Sequence, residues 1–217
     1  VKLAACIKPV IAAKQWGNED LFASKIAEAC ALAMPRNPAN FNTDNVRVAK
    51  IIGNSIQGTT VVSGMCLTRG CITQLTEMHN CKVAVYGIPL DTATTENKGT
   101  VLLKSADELK AYNNSEEESL ERVIKAIADV GTKVLICGQA VGELALHFIE
   151  KYGMMVIKCP SKFELRRLCR TTGANNLVRL EPPTEGDLGY CKHVFVKEIG
   201  STQCTIFDHE LDNSKLA

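Results

Sequence analysis

The chain has 217 residues, 46% of them hydrophobic, enough to bury a real core in one large domain or in one domain plus part of another. Its 25 basic and 24 acidic residues leave a formal net charge of +1, so no global field draws it to nucleic acid or to an anionic membrane, and only a local patch could do so. Ten cysteines are scattered through apolar runs, as at Cys30, Cys66, Cys137 and Cys159. With no CxxC pair, and no second pair or His at ligand spacing from Cys66 and Cys71, they read as reduced cytosolic thiols rather than as a disulfide scaffold or a structural zinc site.

Val1, Leu3, Ile7, Val10 and Ile11 enter directly into a helical apolar pattern without an initiating Met, as expected of a piece of a longer protein. Two helices are expected over residues 1 to about 35, broken at Trp16 and Gly17. Asn18 would cap the second, with Leu21, Phe22, Ile26, Cys30 and Ala33 on its buried side. Pro35 and Pro38 end that helix and open a polar loop. Val46, Val48 and Lys50 to Ile52 then suggest a strand, and Thr59 to Leu67 a second β-rich run punctuated by Gly53, Gly58 and Gly64, with Gly58 and Gly64 as a hinge between domains.

Lys82 to Leu90 reads as a further strand and Thr92 to Gly99 as a polar excursion. Ser105 with Glu108 forms a capping box that starts a short helix containing Leu109 and Tyr112 and failing at Asn113 and Asn114. Glu116, Glu117 and Glu118 would open the next helix, where negative charge suits the positive end of the dipole. Leu120, Val123, Ile124 and Ile127 form its stripe and Gly131 stops it. Strand Val134 to Cys137, a helix with stripe Val141, Leu144, Ala145, Phe148 and Tyr152, and strand Met154 to Ile157 follow in alternation.

Ser161 with Glu164 makes a second capping box, opening a helix whose two faces differ. Leu165, Leu168, Cys169 and Thr172 point one way, while Phe163, Arg166, Arg167 and Arg170 line the other. The bland account is a solvated basic face with a half-covered Phe; the functional account is a recognition surface for polypeptide or an acidic partner. His193 to Ile199 and Thr202 to Glu210 complete a hairpin around Gly200 and Ser201, and Leu211 to Ala217 reads as a loose end.

Catalytic motifs do not emerge. His79, His147, His193 and His209 lie far apart in sequence, and only the fold could gather them into a metal site, so none is assigned. Gly138 to Gly142 lacks the central glycine of GxGxxG, and neither a Walker lysine nor a GxSxG elbow occurs. There is no transmembrane run and no signal peptide pattern, so no membrane partner is expected. Two rival readings remain: a stand-alone α/β nucleotide-binding domain, and a nucleic-acid-binding module using the Arg166, Arg167 and Arg170 stripe, which the near-neutral charge balance disfavours.

The pieces KQWGNED, NFNTDNVRVAKIIG, KVAVYGIPLD, NKGTVLLKSADEL, LHFIEKYGMM, RRLCRTTGA and LGYCKHVFVKEIGSTQ resemble, in order and spacing, the eukaryotic cytosolic chaperonin among group II chaperonins. The match is less clear over Cys66 to Asn80 and Asp212 to Ala217. The resemblance implies an α/β chain in which residues 1–63 are the first segment, helical and β, of an intermediate domain. Residues 64–217 would then be an apical domain, with a β-sandwich core flanked by helices and a helical lid protrusion at about 91–119. It further implies a substrate-binding arm of an ATP-dependent subunit that captures and encloses non-native cytosolic proteins such as actin and tubulin, within a hetero-oligomeric double ring of chaperonin subunits in the cytoplasm. ATP and Mg would be used by the full-length subunit, and no cofactor, metal or catalytic residue is expected in this stretch. Carried over by position, substrate contact falls on Lys162, Phe163, Arg166, Arg167 and Arg170, and lid contact on Leu102, Leu109 and Tyr112.

Overall fold

The computed structural model describes residues 2–91 and 105–209, with the backbone alone for 106–116. Helices α1 (Lys2–Ala12) and α2 (Glu19–Leu32) pack together, joined through Trp16 and Gly17 as the sequence suggests. Asn18 precedes α2 without a side-chain capping bond; the Glu19 carboxylate accepts from the Gly17 amide at 2.6 Å instead. Of the expected buried side, Leu21, Phe22, Cys30 and Ala33 are half-buried and Ile26 is exposed, so only Ala23 is fully covered. Residues 46–52 form no strand. Asn42 caps a 3₁₀ turn at Thr43–Asn45, and Val48 and Ile52 stand in solvent, because β-branched residues make a strand only where a neighbour pairs with them. The Thr59 to Leu67 run likewise contracts to β1 (Gly64–Leu67) after a 3₁₀ turn at Ile56–Gly58.

Seven strands form one mixed sheet: β1, β2 (Glu77–Tyr86), β3 (Thr132–Cys137), β4 (Met155–Lys158), β5 (Asn176–Leu177), β6 (Gly189–Ile199) and β7 (Thr202–Asp208). Their order is β1-β7-β6-β2-β3-β4, with β5 pairing β2 off that path. The two-sheet sandwich that the resemblance implies is therefore continuous in its hydrogen bonds. It nonetheless curls: the Ile72 amide donates to the Val156 carbonyl at 2.9 Å and the Val156 amide to Thr73 Oγ1 at 3.2 Å. The chain leaving the β1 edge thus covers the β4 edge, after a segment that spans at most ~18 Å.

β2 begins earlier than the apolar run suggests and ends at Tyr86; Leu90 makes only an isolated bridge to Val141. Its first half pairs β6 antiparallel and its second half pairs β3 parallel. Parallel pairing requires a crossover, which α3 (Ala106–Asp129) supplies between β2 and β3 and α4 (Glu143–Lys151) between β3 and β4. α3 is one continuous helix through Asn113, Asn114 and the three glutamates, not two helices, since the cost of two Asn in a helix, under ~1 kcal/mol each, is smaller than the gain from burying Leu120, Ile124 and Ile127. Those residues, with Ala145 and Ile149 of α4, fill a core on one face of the sheet. Leu144, expected inside, is on the surface, and Ile149 takes that role. The excursion at Thr92 to Gly99 and the chain end at Leu211 to Ala217 lie outside the described residues.

A second core gathers Met65, Val83, Val85, Ile157, Val194 and Phe207 under α5 (Lys162–Thr172). The β6–β7 hairpin forms as expected, with Gly200 at φ 64° in its turn.

All ten cysteines are unbridged. Burial pushes the Cys66 and Cys159 thiols from the ordinary 9.0 up to about 11, aided by Cys204 and Glu164 respectively, and pushes Cys191 up to about 12, aided by Cys81. Above pH 9 the unfolded chain loses these protons while the folded chain keeps them, so stability falls as pH rises through that window. The urea midpoint should drop between pH 9 and 11, with a shallower slope in Cys191→Ala whatever its absolute midpoint.

Gly64 has φ 146°, and a Cβ there would overlap the Phe207 carbonyl oxygen, whereas a Cβ on Gly58 would meet only the side chain of Asn54 at 3.1 Å. Gly64→Ala should therefore destabilise by ~2 kcal/mol or more, and Gly58→Ala by well under ~1 kcal/mol, in chemical denaturation.

Candidate binding face on helix α5

α5 starts where Ser161, in an extended conformation, lets its hydroxyl accept from the Glu164 amide at 3.4 Å. This is half of the expected capping box. Among the described residues the Glu164 carboxylate makes no return bond to Ser161; its Oε2 lies 4.0 Å from Cys159 Sγ. The helix ends at Gly173, whose left-handed φ of 75° brings its amide to the Cys169 carbonyl at 2.9 Å. Both ends are thus fixed by residues that are cheap to place there.

Between them the 3.6-residue period divides the side chains. Leu165, Leu168 and Thr172 are buried and Cys169 is half-buried against the same core. Burying two leucines contributes ~3–6 kcal/mol toward seating the helix. On the other side Phe163 is 75% exposed. Lys162, Arg166 and Arg170 are exposed and Arg167 is half-buried, so the structure brings all five sequence-predicted contact residues onto one helix. No ion pair reaches these four cations among the described residues. An aromatic ring therefore stands in water amid unneutralised positive charge, an arrangement that contributes little to folding and leaves both an apolar surface and planar donors open to contact.

A cleft of about 210 Å³ lies at the start of α5, lined by Gly87, Gly138, Gln139, Cys159, Pro160, Lys162 and Leu165. It is smaller than the sites that enclose nucleotides or drug-sized ligands, commonly ~300–1,000 Å³. A larger depression of about 400 Å³ is lined by one side of α4 alone and encloses nothing. Gly138 and Gly142 serve the turn from β3 into α4: a Cβ on Gly142 would collide with the Asp91 carboxylate, and the Gly142 amide donates to the Leu90 carbonyl at 2.8 Å. The glycines are needed for close packing and hold no phosphate loop.

Other predicted positions are not gathered with this face. Leu102 lies outside the described residues, as do the side chains of Leu109 and Tyr112, although both of these fall on α3. Gly58 closes a 3₁₀ turn and Gly64 opens β1. What sequence reading missed is the meeting of His79 and His193 across β2 and β6, which only strand register reveals.

A model of the TCP-1/cpn60 chaperonin family matches residues 1–217. The chain is 43% identical over 211 residues to T-complex protein 1 subunit theta of Caenorhabditis elegans, covering 97% of this chain and 38% of that protein. To the protein of the same name from Arabidopsis thaliana it is 44% identical over 204 residues, 94% of this chain and 37% of that one. For Homo sapiens the figures are 39% over 216 residues, 100% and 39%. The chain thus spans less than half the length of these relatives. Among solved structures, the open-state monomer of a group II chaperonin from Methanococcoides burtonii superposes with a TM-score of 0.72, covering 95% of this chain and 47% of that one at 19% identity, a likeness of fold.

If the two sides of α5 are as separable as their burial indicates, Leu168→Ala should cost ~2–5 kcal/mol in urea denaturation, and Phe163→Ser no more than ~0.5 kcal/mol.

Proposed function

The chain belongs to the TCP-1/cpn60 chaperonin family, and on that premise we propose that it is the client-facing arm of a chaperonin subunit of the theta type. Residues 64–217 form its apical domain and residues 1–63 the first segment of its intermediate domain, with Gly58 and Gly64 at the joint and the stretch 91–119 as the lid protrusion. The observation that carries this reading is the outward face of α5, where Phe163 is 75% exposed beside Lys162, Arg166, Arg167 and Arg170. A non-native polypeptide offers what that face lacks: exposed apolar side chains to cover the ring, and carboxylates to pair with the guanidinium groups.

Capture is differential. An open arrangement of subunits displays the face, and closure buries or redirects it, so a client held by one state is released into the enclosed space by the other. The nucleotide chemistry, hydrolysis of ATP with Mg, belongs to parts of the subunit outside these 217 residues, and no catalytic residue is assigned within them. Partners are non-native cytoplasmic proteins, actin and tubulin among them, and the other subunits of a hetero-oligomeric ring.

The test is suppression of aggregation. In molar excess the chain should slow light-scattering growth of a chemically unfolded reporter enzyme, and the double variant Phe163→Ser/Arg166→Glu should lose at least half of that effect while keeping its urea midpoint. Equal suppression by the folded double variant would overturn the assignment. Oligonucleotide binding that falls steeply with salt and depends on Arg166 would replace it with the nucleic-acid reading.

A further inference from the structure

We propose that Glu77, His79 and His193 form a binding site for one divalent transition-metal ion of the zinc type, on the exposed part of the β2–β6 ribbon. The three offer ligand atoms that all lie within 4.8 Å of one another. The geometry follows from strand register. Glu77 and His79 are two apart on β2, so they share a face, and His193 stands directly opposite His79 on β6.

The ring nitrogens converge on one spot. His193 Nε2 lies 2.8 Å and His79 Nε2 3.2 Å from the same oxygen, Glu77 Oε1. A tetrahedral zinc ion with bonds of ~2.0–2.1 Å holds neighbouring ligand atoms ~3.3–3.5 Å apart and lies in the plane of each imidazole that binds it, so the three atoms must move outward and the exposed His79 ring must tilt out of its stack on His193 to admit the ion. On binding, each neutral imidazole carries its proton on Nδ1 and presents the Nε2 lone pair, and the two contacts to Oε1 give way to three metal–ligand bonds.

The support around the site is already ordered. The two imidazoles are stacked at 4.2 Å with an interplanar angle of 11°, and Phe195 stacks on the His193 ring at 4.5 Å. His193 is therefore held between two rings, while His79 and Glu77, with side chains 64% and 55% exposed, can tilt toward an ion. Their exposure also leaves a fourth position open to water or to a donor from another chain. Two imidazoles and one carboxylate select zinc, nickel or copper over calcium and magnesium, which take oxygen ligands.

The probe is Zn²⁺ titrated into the intact chain under reducing conditions, read by calorimetry, with Co²⁺ absorption as a second readout that separates imidazole from thiolate ligation. One equivalent should bind, with the cobalt form showing d–d bands and no thiolate-to-cobalt charge transfer. That equivalent should vanish in His79→Asn/His193→Asn and weaken about 10-fold or more in Glu77→Gln, a variant that keeps the size of the side chain. Retention of the equivalent in the double His variant, charge-transfer absorption in the first cobalt equivalent, or absence of binding at millimolar Zn²⁺ would each overturn the site.

Discussion

The fold depends on one strand that must be dry on both faces. Cys81, Val83 and Val85 of β2 enter one core, Ala84 and Tyr86 enter the other, and none of the five is exposed. A strand buried this way cannot lie at an edge, and its backbone groups need partners on both sides. β3 supplies one side, parallel, and β6 the other, antiparallel as far as Val83, where short β5 takes over in parallel at Val85 and Tyr86. The parallel partners bring α3 and α4 as crossovers, and these helices seal the second core. The change of environment occurs at Asn80, the one non-glycine residue with positive φ among the described residues, at 46°. Before it β2 is at the surface; after it every residue but Lys82 is buried. Tyr190 donates to Asn80 Oδ1 at 2.7 Å and ties that bend to β6.

α5 is a consequence of this arrangement. The core that β2, β6, β3 and β4 share with β7 needs a cover, and Leu165 and Leu168 provide it. Once those residues are seated, the helix cannot roll, because rotation by a single residue position would expose one leucine and bury a guanidinium group. Phe163 is therefore held outward by the packing of its neighbours rather than by contacts of its own. The same logic holds on the ribbon: the register that seats Val194 and Cys191 in the core fixes His193 opposite His79. In both places a rigid interior presents surface groups that contribute little to the stability of the fold.

Much of this was legible in the sequence, for reasons that can be named. The stripes of α3 and α5 follow the helical period, and apolar runs bounded by Gly131, Gly138 and Gly153 mark β3 and β4. The hairpin at Gly200 carries a turn residue with positive φ. Failures occurred where the deciding contact is remote. Val48 and Ile52 look like strand residues but have no strand beside them. Glu77 to His79 precede the apolar run that marks the strand from Lys82, yet β6 pairs with them. Asn113 and Asn114 weaken a helix locally but cannot outweigh three buried apolar residues further along it. The face of α5 was visible from periodicity alone, and the proposal that it contacts clients rests on the family resemblance as well. The convergence of His79, His193 and Glu77 was invisible because pairing between distant strands leaves no local mark.

On the function proposed above, the size of the α5 face limits what one client-facing arm could do. Covering Phe163 contributes ~1.5–3 kcal/mol, and each exposed guanidinium paired with a carboxylate adds ~0–1 kcal/mol. Together with Arg166, Arg167 and Arg170 the gross gain is only ~2–6 kcal/mol, before the cost of ordering a flexible client is subtracted. Because ~4 kcal/mol corresponds to a millimolar dissociation constant, one such face holds a client only fleetingly. Weakness suits a surface that must accept many sequences and then let go. Retention requires several arms to engage the same chain, where effective concentrations in the millimolar range turn weak contacts into lasting ones. On the function proposed above, the ring is therefore a thermodynamic requirement of capture as well as a container, and subunits that differ in the charge and aromatic content of this one helix face would give each client its own pattern of holds.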